Sequence, residues 1–298
     1  MNTYQARRNT ALTRANKSQR PSLTNHLFLA MAKIKSYLIA SHFGPTLLVT
    51  IVTFLLATNL WWEGPAFIIA FGIFLGQLIV GWSNDLYDFR DDLKHNRINK
   101  PLVAGALKPA ELKRAIFIVL PIAIIVNIAG PLGLKAGAIS ILGIGLGISY
   151  NFYLKPTAFS PIPYALAFAL LPTALVISTD RTPPLWLFWA GGLLGMSAHF
   201  ANVLKDFKED KASGINSLPI SLGRIPSRLI TSVFLIAATI ILHSAKPNTT
   251  ILVIGIITAT LSIFAPRFIL FKLLMLVALL DVTLLVSAAG ELIGSRTV

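Results

Sequence analysis

Long apolar stretches recur along this chain from Tyr37 to Ile293. Each holds about 20 residues, which is the length an α-helix needs to cross roughly 30 Å of hydrocarbon. Hydrophobic residues make up 55% of the chain and charged residues 13%, and the mean hydropathy is +0.72. That composition leaves no separate soluble domain. We therefore predict an all-α, polytopic membrane bundle of nine transmembrane helices around a central, lipid-accessible cavity.

Glycine, proline and charge clusters divide the apolar sequence into nine predicted spans, at roughly 37–61, 65–86, 113–130, 134–153, 161–178, 184–204, 226–244, 249–265 and 268–290. If the spans alternate in direction, nearly all of the 26 Lys and Arg residues fall on one side. The exceptions are Lys135, Arg181, Lys246 and Arg296. The positive-inside rule then predicts a multi-pass integral membrane protein whose amino terminus and motif-bearing loops are cytoplasmic.

The amino-terminal residues differ from the rest in being basic and free of apolar spans. We expect residues 1–35 to form a disordered cytoplasmic tail, with a short interfacial helix from His26 to Ala40 leading into the first span. Residues 36–298 are expected to form the nine-helix domain, with motif-bearing loops at about 84–112 and 202–225. The net charge of +14 is explained by topology signals and attraction to anionic membrane lipid, so we expect no nucleic acid partner.

Two acidic segments resemble each other: NDLYDFRDD at 84–92 and NVLKDFKED at 202–210. Most of the 12 acidic residues lie in them, namely Asp85, Asp88, Asp91, Asp92, Asp206, Glu209 and Asp210. If both segments are helical, Asn at i and Asp at i+4 and i+8 form one polar stripe on each. Carboxylates packed this closely at helix ends in a membrane repel one another unless a cation lies among them.

The available ligands favour a hard cation. The chain has no Cys and only scattered His, so oxygen ligands favour Mg²⁺ over Zn²⁺. Because Mg²⁺ completes its coordination with water and substrate phosphates, two facing acidic clusters predict a diphosphate site. Bases near the motifs can bind the remaining phosphate charge: Arg90, Lys94, Arg97, Lys100, Lys155, Lys205, Lys208 and Lys211. A prenyl diphosphate, with its head group at the membrane surface and its tail between the helices, suits such a site.

The first motif resembles the Asn-Asp-x-x-Asp-x-x-x-Asp signature of the UbiA superfamily of intramembrane prenyltransferases. DFKED followed by KASGINSLPISLG is similar to the second motif of that family. The resemblance implies two Mg²⁺ ions held on the diphosphate by Asp85, Asp88, Asp92, Asp206 and Asp210. It also implies that Asn84 contacts the metal–diphosphate assembly and that Arg97 and Lys155 bind diphosphate. We add Lys100, Tyr150, His199, Asn202 and Lys205 as substrate-binding candidates.

The chain departs from that family in two places. Lys100-Pro101 stands where many members have Arg-Pro after the first motif, which keeps the charge and loses the bidentate fork. SHFGPT at 41–46 stands where many members with aromatic acceptors have a second Arg-Pro, so His42 replaces that arginine. Asp281 and His199 have two interpretations each: a functional intramembrane polar group, or a structural residue hydrogen-bonded between helices.

We predict Mg²⁺-dependent transfer of a prenyl group from a prenyl diphosphate to an acceptor inside the membrane. An aromatic or quinone precursor is the nominal acceptor, by analogy with the family alone; the sequence does not identify it. The alternative is an ion-coupled transporter with carboxylate cation sites. Against a transporter, the acids lie at helix ends rather than near the midplane of the membrane. A phosphatidyl-alcohol transferase ranks lower because its Asp-Gly-x-x-Ala-Arg stretch is missing.

Overall fold

The computed structural model of the protein describes residues 23–289, and within that range the chain is helical and has no strand. The first helices are α1 (Leu23–Ala40), α2 (Phe43–Ala57), α3 (Glu63–Lys94), α4 (Pro109–Ala129) and α5 (Gly133–Ser149), which continues into a π-helical turn, Tyr150–Leu154. The remaining helices are α6 (Pro161–Ile177), α7 (Leu185–Lys205), α8 (Phe207–Ala212), α9 (Leu218–Leu222), α10 (Arg224–Ala245), α11 (Thr249–Phe264) and α12 (Arg267–Ala289).

The helices are those of an integral membrane protein, as the sequence predicts. Among the described residues, α3, α4, α5 with its π turn, α7 and α10 are each long and apolar enough to cross a bilayer. Helices α1 and α2 meet at a bend of 76° and count as a sixth span if they cross together. Helices α6 and α11 are apolar but shorter, with 17 and 16 residues. The all-helical membrane fold is confirmed, whereas the count of nine spans stays a prediction.

Large apolar side chains cover the outside of the bundle. Phe67, Phe117 and Leu134 are 63%, 80% and 71% exposed within the protein itself. Exposing so many aromatic and aliphatic groups to water is unfavourable, whereas contact between these groups and lipid tails is favourable. The outer surface of the helices is therefore suited to a hydrocarbon environment.

The basic tail expected at residues 1–35 lies mostly outside the described residues, which begin at Leu23. The helix expected from His26 to Ala40 is present as part of α1, which begins three residues earlier. Residues 23–35 are thus helical, and the rest of the expected tail lies outside the described residues.

The helices pack in a closed arrangement. Consecutive helices contact each other, α7 also packs on α10, and α12 packs on α2 and α7. One hydrogen bond across this closure joins Asn59 Nδ2 to the carbonyl oxygen of Val286 at 3.3 Å. Helices α3 and α7 are the most enclosed of the five long spans, with 67% and 61% of their apolar windows buried against 39% or less in the others. Both acidic motifs therefore lie at the ends of central helices.

The bend between α1 and α2 is held tightly against α3. A Cβ at Gly81 would lie 2.3 Å from the carbonyl oxygen of Ser41, so only glycine permits this approach. Trp82 Nε1 donates to the carbonyl oxygen of Tyr37 at 2.9 Å, which fixes the end of α1 beside the same turn of α3. This contact brings the bend to the helix turn that carries the first motif.

We predict that Gly81→Ala lowers thermal stability by about 1–3 kcal/mol, because the new methyl group meets backbone rather than a movable side chain. The matched control is Gly145→Ala in α5, where a Cβ meets nothing within 4 Å. That control should be neutral or stabilise by about 0.5–1 kcal/mol through helix propensity. Thermal unfolding in one detergent measures both, and equal melting temperatures would contradict the close contact at Ser41.

Candidate active site

The first acidic motif lies entirely within α3, as the stripe of Asn84, Asp88 and Asp92 predicts. Asp85 and Asp92 are almost fully buried, with 1% and 2% of each residue exposed. Asn84 Nδ2 donates to Asp88 Oδ2 at 3.0 Å, one helical turn away. The motif thus presents carboxylates toward the interior of the bundle rather than to solvent.

Each of three aspartates in this motif is paired with a base that the sequence had singled out. Lys100 Nζ donates to Asp85 Oδ1, and Arg97 Nη1 donates to Asp92 Oδ1 at 2.6 Å. Lys155 Nζ contacts both oxygens of Asp88 at 2.8 Å. Removing a carboxylate from water is costly unless a positive charge lies beside it, so these bases stabilise the buried acids.

A π-helical turn directs Lys155 to the first motif. In this turn Lys155 N donates to the carbonyl oxygen of Tyr150 at 2.8 Å, five residues back. Asn151 Nδ2 donates to Ser83 Oγ at 2.7 Å and to the carbonyl oxygen of Val80 at 2.9 Å, which joins the turn to α3. Asn151 was not among the site residues predicted from the sequence. Its position one residue after Tyr150 in the same segment was the available signal.

The second motif is not one continuous helix. Helix α7 ends at Lys205, Asp206 has φ −99° and ψ 17°, and α8 begins at Phe207. The continuous helix assumed for the stripe of Asn202, Asp206 and Asp210 is therefore interrupted at Asp206, although Asp210 N still donates to the carbonyl oxygen of Asp206 at 2.9 Å. Phe207 is the one buried residue of the six in α8, so little apolar surface holds this segment in line with α7. Asn202 itself is exposed.

The two motifs nevertheless influence each other electrostatically. Burial raises the pKa of Asp210 to about 6. The negative charges of Asp206 and Asp88 also raise the pKa of Asp210, whereas the positive charges of Lys155 and Arg97 lower it. Asp88 and Asp210, on separate elements, are thus close enough to repel and share one lysine.

A hydrogen-bonded bridge joins the first motif to the loop after α8. Ser213 Oγ donates to Asp91 Oδ2 at 2.7 Å, and Arg97 Nη2 donates to Ser213 Oγ at 3.3 Å. Arg97 Nη2 also lies 3.7 Å from Asp91 Oδ2. Asp91 is outside the predicted stripe, and its partner Ser213 lies in the KASGINSLPISLG segment without being one of the predicted site residues. Asp91 and Ser213 are 122 residues apart in sequence, so local sequence patterns could not predict their contact.

His42 enters the site from the bend between α1 and α2. Its Nε2 lies 3.2 Å from both Asn84 Nδ2 and Asp85 Oδ1, and 3.4 Å from Lys100 Nζ. The backbone of His42 is left-handed, with φ 54° and ψ 55°. From the sequence, His42 stands in place of an arginine found in many family members with aromatic acceptors. In the structure, His42 contacts the first motif.

The donor set suits a hard cation. Asp85 Oδ2 is buried and has no hydrogen-bond partner among the described residues. A buried carboxylate oxygen without a partner is unusual, and a metal ion is one group that would satisfy it. In the described range no three Asp, Glu or His residues are already gathered around one point. The assignment of Asp85, Asp88, Asp92, Asp206 and Asp210 as metal ligands stays a prediction.

His199 and Tyr150 form a buried group behind the motifs. His199 is fully buried and its Nε2 lies 3.0 Å from Ser160 Oγ, which in turn accepts from Leu218 N at 3.2 Å. The ring of Tyr150 lies 5.6 Å from that of His199. Of the two interpretations of His199, the structure shows the hydrogen bond between helices. Substrate contact by either residue remains a prediction.

Asp281 also forms a contact between helices. Thr239 Oγ1 donates to Asp281 Oδ1 at 2.6 Å, joining α10 to α12. No motif aspartate lines the cavities of about 100 Å³ and about 270 Å³ among the described residues. Lys205 lines the smaller of the two. The central cavity expected from the sequence therefore remains a prediction.

Comparison with known proteins identifies the family. A family model described as the UbiA prenyltransferase family matches residues 46–288, which is most of the chain and includes both motifs. The chain belongs to the UbiA prenyltransferase family.

Two curated UbiA-type relatives share one name. The digeranylgeranylglyceryl phosphate synthase of Pyrococcus horikoshii is 30% identical over 177 residues, covering 56% of this chain and 58% of the relative. The enzyme of the same name from Sulfolobus acidocaldarius is 26% identical over 159 residues, covering 51% of this chain and 55% of the relative. The chain thus matches a little over half the length of these relatives.

Solved structures share the UbiA fold over nearly their whole length. One, described as a study of digeranylgeranylglyceryl phosphate synthase in membranes, has a TM-score of 0.64 at 18% identity and covers 87% of this chain and 99% of that one. A UbiA homolog from Archaeoglobus fulgidus bound to GPP and Mg²⁺ has a TM-score of 0.62 at 15% identity, covering 85% and 99%. At these identities the likeness concerns the fold.

We predict that Asp91→Ala lowers kcat/KM about two- to tenfold, because it removes one hydrogen bond of about 0.5–1.5 kcal/mol that positions the second-motif loop. Ser213→Ala should cause a similar loss, and the double variant should be no worse than either single variant. Glu209→Ala is the matched control, since Glu209 is an exposed acid in the second motif. Fully additive losses at Asp91 and Ser213 would contradict the bridge.

Proposed function

We propose that this protein transfers a prenyl group from a prenyl diphosphate to a hydroxyl of a glyceryl phosphate lipid, with Mg²⁺ as cofactor. Membership of the UbiA prenyltransferase family supports the class of reaction. The observation that carries the proposal is the shared environment of Asp88 and Asp210, two acids from separate motifs that repel each other and are both stabilised by Lys155.

The proposed donor site uses the acids and bases of both motifs. Asp85, Asp88, Asp92, Asp206 and Asp210 would hold the metal on the diphosphate. The unsatisfied Asp85 Oδ2 and the raised pKa of Asp210 indicate that these acids favour additional positive charge. The Archaeoglobus fulgidus homolog has been solved with both GPP and Mg²⁺, which agrees with this assignment.

The chemistry breaks one bond and forms one. The allylic carbon–oxygen bond to diphosphate breaks and its electron pair leaves with the diphosphate, while an acceptor oxygen bonds to the freed carbon and loses its proton to the released diphosphate. Mg²⁺, when bound, supplies charge that stabilises the leaving diphosphate. Lys100, Lys155 and Arg97 are held beside the acids and can exchange a carboxylate for a phosphate oxygen. The apolar bundle excludes water from the reactive carbon.

The names of the curated relatives support the choice of acceptor. Digeranylgeranylglyceryl phosphate carries two geranylgeranyl groups, so the synthase that makes it by prenyl transfer would add the second to geranylgeranylglyceryl phosphate. This favours a glyceryl phosphate acceptor over the aromatic or quinone precursor that the sequence alone gave as nominal. His42, in place of the arginine found in many members with aromatic acceptors, agrees with that choice.

A transfer assay in lipid nanodiscs tests the proposal. Purified protein receives geranylgeranyl diphosphate, Mg²⁺ or EDTA, and one of three acceptors: geranylgeranylglyceryl phosphate, its dephosphorylated alcohol, or a hydroxybenzoate. We expect Mg²⁺-dependent diphosphate release and a product heavier by one prenyl group with the glyceryl phosphate acceptor. If product forms only with the hydroxybenzoate, the proposal of a glyceryl phosphate acceptor is wrong. Cation flux across liposomes without any product would favour the transporter instead.

We predict that Asp88→Asn and Asp206→Asn each lower turnover in this assay by at least about a hundredfold, because each removes charge that stabilises the metal on the leaving group. Glu209→Gln serves as the matched control, since Glu209 is an exposed acid near Asp206. Its turnover should stay near wild type. If either aspartate variant retains full activity at an unchanged melting temperature, the assignment of the metal ligands is wrong.

A further inference from the structure

A second basic site lies near the motifs and is separate from the bases that pair with the first-motif aspartates. A cavity of about 100 Å³ lies between α7, α10 and α12. Its charged lining consists of Lys205, Arg224 and Arg228, and its apolar lining of Ala201, Leu204, Leu270 and Leu274. Two arginines and one lysine therefore line one small cavity whose other walls are apolar.

Arg228 provides the most specific indication of a ligand. Its Nη1 donates to the carbonyl oxygens of Ala265 at 3.0 Å and Ile263 at 3.3 Å, which stabilises the end of α11. Its Nε is buried and has no hydrogen-bond partner among the described residues. The hydrogen bonds to the end of α11 therefore use Nη1 and do not explain why the buried donor Nε has no partner. The edge formed by Nε and Nη2 is one that phosphate oxygens bind in a bidentate manner.

The other two bases are placed by neighbouring elements. The guanidinium of Arg224 lies 4.9 Å from the ring centroid of Phe207, which holds it over α8. Arg224 is also the first residue of α10, a helix of 22 residues whose N-terminal N–H groups add positive potential. Lys205 ends α7, directly before Asp206. The cavity is thus adjacent in sequence to the second motif, at the end of the bundle where charged residues gather.

The size and lining of the cavity restrict the anion. A cavity of about 100 Å³ has room for several water molecules and therefore for one phosphate group. Leu270 and Leu274 are 5% and 2% exposed and offer apolar contact to carbon next to the phosphate. A membrane surface supplies such molecules as lipids with phosphate head groups.

We propose that this cavity binds the phosphate head group of a lipid. Two lipids carry this chemistry: the glyceryl phosphate acceptor, in which case the inference rests on the proposed function, and an anionic phospholipid of the bilayer, in which case it does not. In both cases Arg228 binds the phosphate through the edge that carries Nε, and Lys205 and Arg224 supply the remaining charge.

Native mass spectrometry in detergent tests the site without requiring turnover. Wild-type protein is titrated with a short-chain dialkylglycerol phosphate and with the matching uncharged dialkylglycerol. We expect binding of the phosphate lipid to weaken at least about tenfold in Lys205→Gln and in Arg228→Gln. Arg114→Gln, which changes an exposed base at the start of α4, is the matched control and should bind like wild type. If Arg228→Gln fails to fold, Lys205→Gln still tests the site, because Lys205 is exposed and its substitution should not affect folding.

A second measurement distinguishes the two lipids. If the acceptor occupies the site, Arg228→Gln raises KM for the glyceryl phosphate acceptor at least about tenfold and leaves KM for the prenyl diphosphate unchanged. If a bilayer lipid occupies it, both KM values stay near wild type while binding of the two-chain phosphate lipid falls. Equal binding of the phosphate lipid by all variants overturns the site. Because binding is measured without catalysis, an inactive wild-type protein would reject the proposed function and leave this test intact.

Discussion

Negative charge held in an apolar bundle must be balanced within a few ångströms, and the region around the first motif is arranged to do so. Asp85 and Asp92 are nearly inaccessible to water, and each is bonded to a base from the loop that follows α3. That loop therefore folds back over the end of its own helix. Lys155, directly after the π turn that continues α5, pairs with Asp88 in the same region, and this turn is hydrogen-bonded to α3.

The close approach of backbone segments is the second requirement. Gly81 lets the bend between α1 and α2 touch α3, and the bend presents His42 to Asp85. The bridge from Asp91 through Ser213 to Arg97 joins the opposite side of the motif to the loop after α8. The first motif is thus connected to segments from both halves of the chain. This explains how residues from distant parts of the sequence converge at one end of the bundle.

Local pattern predicted the membrane fold, the helical first motif and the bases that pair with it, because hydropathy and charge spacing act over short stretches. Lys100 and Arg97 follow their partners closely in sequence, so proximity was informative. The structure was needed to find the contacts of His42, Asn151 and Ser213, since these contacts depend on how distant helices pack. The break at Asp206 was also missed, because the repeat in residue types predicts a repeat in conformation only if the packing repeats as well.

The pairing of acids and bases has a consequence for how the chain enters a membrane during synthesis. The two most buried carboxylates of the first motif have the nearest partners: Arg97 lies five residues after Asp92, and Lys100 lies 15 after Asp85. Asp88, whose side chain is 16% exposed, is paired with Lys155, which lies 67 residues later. The charges hardest to solvate can therefore be neutralised as soon as α3 and its loop have left the ribosome. The more accessible one retains contact with water until a later helix arrives.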